Sequence, residues 1–160
     1  MKTVISTNLY CQKVFGQKVY RLALSAATDC PNRQNGQGGC IFCSEGGSGD
    51  FAAPATWDID RQIEYAKQKI CRKTDAEKFI AYFQSFTGTY GDIDRLRRIY
   101  LAAAGREDIA AVSIATRPDC LGAEVMEMLS ELCAVKPLWI ELGLQTASDV
   151  TAKAIRRGYP

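Results

Sequence analysis

Phe79-Ile80-Ala81-Tyr82-Phe83-Gln84-Ser85-Phe86, then Leu96, Ile99, Tyr100 and Ala103 at helical spacing, then Ala110-Ala111-Val112-Ser113-Ile114-Ala115-Thr116, decide the fold class. The first run is short and aromatic, as a buried strand is. The middle set forms one face of a helix that closes near Gly105, and Pro118 cuts off the third run. Strand, helix and strand in this order make a crossover unit, whose strands are parallel. Upstream, Ile59, Ile63, Ala66 and Ile70 form another helical stripe, with Lys67, Lys69, Arg72 and Lys73 outside it. Before it, residues 18–26 read as the first strand. Downstream, Leu121, Val125, Met128, Leu129 and Leu132 mark a helix, and residues 138–144 a fourth strand. Thr146 with Asp149 has the spacing of a capping box for a last helix through Ile155.

The expected class is therefore α/β: four β/α units on a parallel sheet, with residues 1–17 as an N-terminal extension. Four units do not close a (β/α)8 barrel. The sequence stops at Arg157-Gly158-Tyr159-Pro160, directly after the fourth helix. That leaves an uncovered edge strand, so the expectation is a part of a larger protein, lacking its C-terminal half or completed by a partner chain.

The 160 residues are 47% hydrophobic and 24% charged, an ordinary globular mix that excludes wholesale disorder. Net charge is +2, too balanced to argue by itself for nucleic acid or a membrane. Histidine is absent, which removes Ser-His and Cys-His catalysis and every imidazole metal site. No secretory signal opens the sequence and no apolar run is long enough to span a membrane. The expectation is a soluble cytoplasmic domain with reduced thiols, in which clustered cysteines point to metal or catalysis.

There are 7 cysteines, and Cys30, Cys40 and Cys43 stand in one loop over residues 27–50, in which 6 of the 13 glycines lie. Cys40 and Cys43, two residues apart, can reach one soft metal, and the glycines let Cys30 fold back to join them. Three ligands suit a 4Fe–4S cluster with one open iron; structural zinc prefers four. A zinc loop recruiting Cys11 or another cysteine, or unliganded thiols, are the alternatives. Because the loop follows the first strand, its site falls at the C-terminal ends of the strands, where α/β proteins build their sites.

With Phe42 just before its last cysteine, this loop resembles the cluster motif of radical S-adenosylmethionine (SAM) enzymes, and its long first spacing is similar to that of the Elongator catalytic subunit. Phe15-Gly16-Gln17-Lys18-Val19-Tyr20, Cys30-Pro31-Asn32-Arg33, Gly39-Cys40-Ile41-Phe42-Cys43 and Gly47-Ser48-Gly49-Asp50-Phe51-Ala52 resemble the YhcC/YtqA-type radical SAM family. So do Tyr82-Phe83-Gln84-Ser85-Phe86-Thr87, the segment from Ile114 to Leu121, and Glu141-Leu142-Gly143-Leu144-Gln145-Thr146. The resemblance runs over essentially the whole chain. It implies the first four units of a partial (β/α)6 barrel, with the later units absent. It implies a 4Fe–4S cluster on Cys30, Cys40 and Cys43, SAM on the open iron, and reductive cleavage of SAM to a 5′-deoxyadenosyl radical. A reductant such as flavodoxin or ferredoxin is implied as partner, and tRNA, at a wobble uridine, as substrate. The alternative is a non-catalytic zinc- or cluster-binding module, or an inactive truncated fragment.

The same resemblance assigns SAM contacts to Gln84 beside the Thr87-Gly88-Thr89 turn, to Gln145, and to Arg157 for the SAM carboxylate, while Phe42 packs near the adenine. The usual Gly-Gly-Glu is missing after the second strand, and Ala115 replaces a carboxylate before Arg117, which receives no role. Period-two alternation puts Glu141, Gly143 and Gln145 on one inward face at a strand end that should hold SAM, so Glu141 is a further candidate for cofactor binding. Cys11, Cys71, Cys120 and Cys133 read as core or surface thiols. Tyr82, Phe83 and Phe86 read as core, and Arg95, Arg97 and Arg98 as a solvated helix face whose minority reading is contact with RNA phosphate.

Overall fold

The computed structural model describes residues 6–34 and 38–159. Parts of the N-terminal extension and of the cysteine loop, residues 1–5 and 35–37, therefore lie outside the described residues. Strands β1 (Tyr20–Leu24), β2 (Phe79–Phe83), β3 (Ile109–Thr116) and β4 (Leu138–Leu142) form one sheet in chain order, every neighbouring pair parallel. Between them run α2 (Ile59–Cys71), α3 (Ile93–Ala104) and α4 (Ala123–Val135), with α5 (Asp149–Ala154) after β4. The α/β class and the parallel order are those the sequence implies. Three strands end sooner than their apolar runs: β1 at Leu24, β2 at Phe83 and β4 at Leu142, where the backbone turns to build loops.

The sheet's two faces are unlike. Leu22, Leu24, Phe79, Ala81, Phe83, Val112 and Ile114 project to one side and are sealed by Ile63 of α2, Leu96, Tyr100 and Ala103 of α3, and Met128 and Leu132 of α4. Burial of this single apolar layer supplies most of the driving force, and it explains the stripe on each helix. Asp58 and Asp92 cap α2 and α3, accepting from the Arg61 and Arg95 amides. The capping box expected at Thr146 and Asp149 does not form. Ser148 caps α5 instead, and the Thr146 hydroxyl, two residues earlier, accepts from the Ser148 amide.

On the opposite face a missed helix, α1 (Thr7–Phe15), closes the lower end of the sheet. Ser6 caps it, and Gly16 ends it with φ +72°, the left-handed turn that favours glycine. Its Cys11 is buried against Ile80 and Ala111, and Tyr10 meets the Trp139 ring edge-on at 5.9 Å. Cys71 and Cys133 are exposed on their helices, so these three thiols are core or surface groups. Among the described residues no helix is long and apolar enough to cross a membrane.

Far from the cysteines, Arg106 and Lys67 converge on Asp108 at 2.9 and 2.7 Å. The Arg106 hydrogen bonds, helped by Lys67, hold the Asp108 carboxyl well below the usual carboxylate range. A depressed folded-state value contributes stability above the unfolded value of about 3.9, lost as pH falls towards the folded one. Asp108→Asn is thus expected to cost about 1–2 kcal/mol at neutral pH. Urea unfolding of both proteins should show that gap closing as the pH falls below about 4.

Candidate metal and cofactor site

Above α1 the inner face becomes polar, with Tyr82 directly opposite Ser113, Arg21 two residues below that level and Glu141 two residues above it. Arg21 of β1, Tyr82 of β2, Ser113 of β3 and Glu141 of β4 share that face. Glu141 binds all three: Arg21 at 2.8 Å, the Tyr82 hydroxyl at 3.1 Å and the Ser113 hydroxyl at 2.9 Å. Arg21 also lies 4.5 Å from the centre of the Tyr82 ring. Burial, and then the Glu141 charge, raise the Tyr82 phenol above its ordinary value. Tyr82 and Glu141 of this layer line the floor of a cavity of about 320 Å³ at the C-terminal ends of the strands.

The cysteine loop forms the cavity's wall. It leaves β1 under tight control, for the buried Gln62 side chain accepts from the Ser25 amide and donates to the Ser25 carbonyl. Arg95 donates to the carbonyls of Ala26 and Ala27. The far arm is held by Arg33, which donates to the carbonyls of Cys43, Ser44 and Glu45. Across the gap, the Phe86 amide donates to the Gly47 carbonyl and the Thr87 amide to that of Asp29. The solvated arginine face expected on α3 holds for the exposed Arg98 but is corrected for the other two: Arg95 clamps the loop, and Arg97 pairs with Asp94 and Glu131.

Cys30, Cys40 and Cys43 all line the cavity, together with Phe42, Gln84, Glu141, Gln145 and Arg157. The eight site residues of the sequence reading are thus brought to one place, although not always for the reason given. Gln145 reaches it from a turn with φ +60° beyond the end of β4, so alternation along the strand does not carry it there. Arg157 is buried, donating to the carbonyls of Leu144, Thr146 and Tyr159, which orders the loop after β4. Phe42 is 56% exposed at the rim. The aromatic stripe divides: Phe83 is core, while Tyr82 and Phe86 line the cavity.

Nitrogen donors approach two of the sulfurs. Asn32 Nδ2 stands 3.4 Å from Cys40 Sγ, and Arg117 Nη1 stands 3.7 Å from Cys30 Sγ. Cys120, just beyond β3, has its thiol pushed up to about 11 by burial and by Asp119. Among the described residues, no three cysteine or carboxylate side chains are gathered closely enough to hold a metal ion as they stand. The donor set still fits a soft centre: three thiols line one cavity, and its single carboxylate, Glu141, is engaged by Arg21, Tyr82 and Ser113. Arg21, Asn32, Arg33 and Tyr159 escaped the sequence reading. Arg21 left a signal, a charge within an otherwise apolar strand that calls for a partner, and Asn32 and Arg33 stood in the motif Cys30-Pro31-Asn32-Arg33 without a role.

The chain is similar along nearly its whole length to known proteins. It is 43% identical over 154 residues to the uncharacterized protein YtqA of Bacillus subtilis, covering 95% of this chain and 48% of YtqA. It is 36% identical over 151 residues to protein YhcC of Escherichia coli K12, covering 91% and 47%. An uncharacterized protein of Methanocaldococcus jannaschii is 32% identical over 158 residues, 94% and 47% of the two chains. The chain thus spans about half the length of these curated relatives. No family model matches it.

Proposed function

We propose that this chain is the N-terminal portion of a partial (β/α)6 radical SAM barrel in a cytoplasmic enzyme, with Cys30, Cys40 and Cys43 as ligands of a 4Fe–4S cluster. The observation that carries the reading is the convergence of three thiols on one cavity at the C-terminal ends of parallel strands. Similarity to YtqA and YhcC, the family whose motifs the sequence resembles, supports it. When bound, the cluster supplies the electron that cleaves SAM reductively to methionine and a 5′-deoxyadenosyl radical.

The chain's own residues bind, orient and shield. Gln84 and Gln145 offer amides to SAM at the ends of β2 and β4, and Phe42 offers an apolar face to the adenine. Glu141 is fixed in orientation by Arg21, Tyr82 and Ser113, so it presents a preorganised side chain from the floor. Arg157 acts by holding the Leu144–Thr146 backbone in place. α1 seals the lower end against water. Flavodoxin or ferredoxin is proposed as electron donor, and a tRNA wobble uridine as substrate by analogy with the Elongator subunit. Arg95 and Arg97 lend that substrate no support, since both are engaged within the protein.

The test is anaerobic reconstitution with iron and sulfide, followed by EPR of the reduced protein with and without SAM. A 4Fe–4S signal that changes on adding SAM is expected. Stoichiometric zinc with no cluster would replace this reading by the second one, a non-catalytic zinc module.

A further inference from the structure

Arg117 has no role in the reading above, yet it is 9% exposed, unusually deep for a cation. Its Nε and Nη2 fork onto Asp119 at 2.8 and 2.7 Å, and Nη2 also faces the Gly158 carbonyl at 3.4 Å. The guanidinium plane lies 4.9 Å from the centre of the Tyr159 ring. With two edges fixed, the remaining nitrogen, Nη1, is aimed at Cys30 Sγ at 3.7 Å. A planar fork can do this; an ammonium would have to give up one partner. The three thiols are consequently inequivalent. Cys30 has a charged donor and Cys40 a neutral one, Asn32 Nδ2. Among the described residues, no nitrogen donor reaches the Cys43 sulfur.

We infer that Arg117, locked by Asp119, is a positioning residue that holds Cys30 and draws electron density from its sulfur, so that the metal centre is tuned at one ligand. This rests on the proposed reading that Cys30, Cys40 and Cys43 are ligands. Donors to ligand sulfur stabilise the more negative, reduced state and raise the reduction potential. Asp119 opposes this by neutralising the guanidinium. The two residues therefore act on the potential with opposite signs, which two residues that merely brace the loop would not do.

The experiment compares wild type, Arg117→Gln and Asp119→Asn. Apoprotein is titrated with cobalt(II), read by thiolate-to-cobalt absorbance, and reconstituted protein is titrated with dithionite, read by EPR. Arg117→Gln is expected to bind cobalt about tenfold more weakly and to show a more negative midpoint potential. Asp119→Asn is expected to show a more positive one. Unchanged potential and cobalt affinity in Arg117→Gln, or potentials shifted the same way in both variants, overturn the role of Arg117 and leave the three-thiol site standing. Wild-type protein that takes up neither cobalt nor cluster overturns both.

Discussion

Cys30→Ala, Cys40→Ala and Cys43→Ala are each expected to abolish the 4Fe–4S EPR signal after anaerobic reconstitution, whereas Cys11→Ala, Cys71→Ala, Cys120→Ala and Cys133→Ala retain it. The first three thiols line one cavity; Cys11 is sealed beneath the sheet by α1, and Cys71 and Cys133 are exposed on outer helices. Cys120 stands outside the cavity with a thiol that is harder to deprotonate, which disfavours it as a ligand. With only three ligands, losing one leaves two, too few to hold a cluster against solvent. The loss would not report misfolding, because arginine contacts to main-chain carbonyls hold the loop without its sulfurs. Urea midpoints of the three variants should stay within about 1 kcal/mol of wild type. A cluster that survives in Cys40→Ala would remove Cys40 from the ligand set.

The second large effect is on the fold beneath the site. Gly88 sits where the loop after β2 crosses β3, its amide donating to the Ala115 carbonyl and its own carbonyl accepting from the buried Tyr100 hydroxyl. A Cβ here would lie 2.6 Å from Ile114 Cγ2 and 2.8 Å from the Ala115 oxygen. Neither neighbour can yield, one being a core side chain and the other strand backbone. Gly88→Ala is expected to cost about 2–3 kcal/mol in urea unfolding. It should also disturb Thr87 at the cavity wall and the bond between the Thr89 and Thr116 hydroxyls. Gly122→Ala is the control, for nothing lies within 4 Å of its Cβ, and it should cost less than about 1 kcal/mol. Equal stability of the two variants would refute the packing argument.

The four β/α units were legible because each helix buries one stripe against one sheet face, and that period survives in the sequence. α1 was not, although Ser6 and Gly16 marked both its ends. Of its residues only Cys11 is buried, so no stripe announces it, and it holds through contacts with Ile80 and Trp139 made after the sheet forms. At the site, residue types that carry chemistry were visible one by one: the cysteines, Gln84, Glu141, Gln145. Their partners were not. The Arg21–Glu141 pair needs the register of four strands, and the approach of Arg117 to Cys30 joins positions 87 apart. The chain offers Arg157 as a contact for the SAM carboxylate, and only the fold reveals the buried brace it makes for the loop after β4.

The manner in which the cysteine loop is gripped has an evolutionary side. Arg33 and Arg95 seize it through main-chain oxygens, those of Ala26, Ala27, Cys43, Ser44 and Glu45, and every amino acid carries such an oxygen. Drift in the side chains at Ala27, Ser44 and Glu45, all exposed, leaves the grip intact. Drift at the two arginines releases the whole arm. Mutational tolerance is thereby divided unevenly, wide at these exposed loop positions and narrow at the two arginines, which act through the backbone. New specificities can be tried at the mouth without rebuilding its frame.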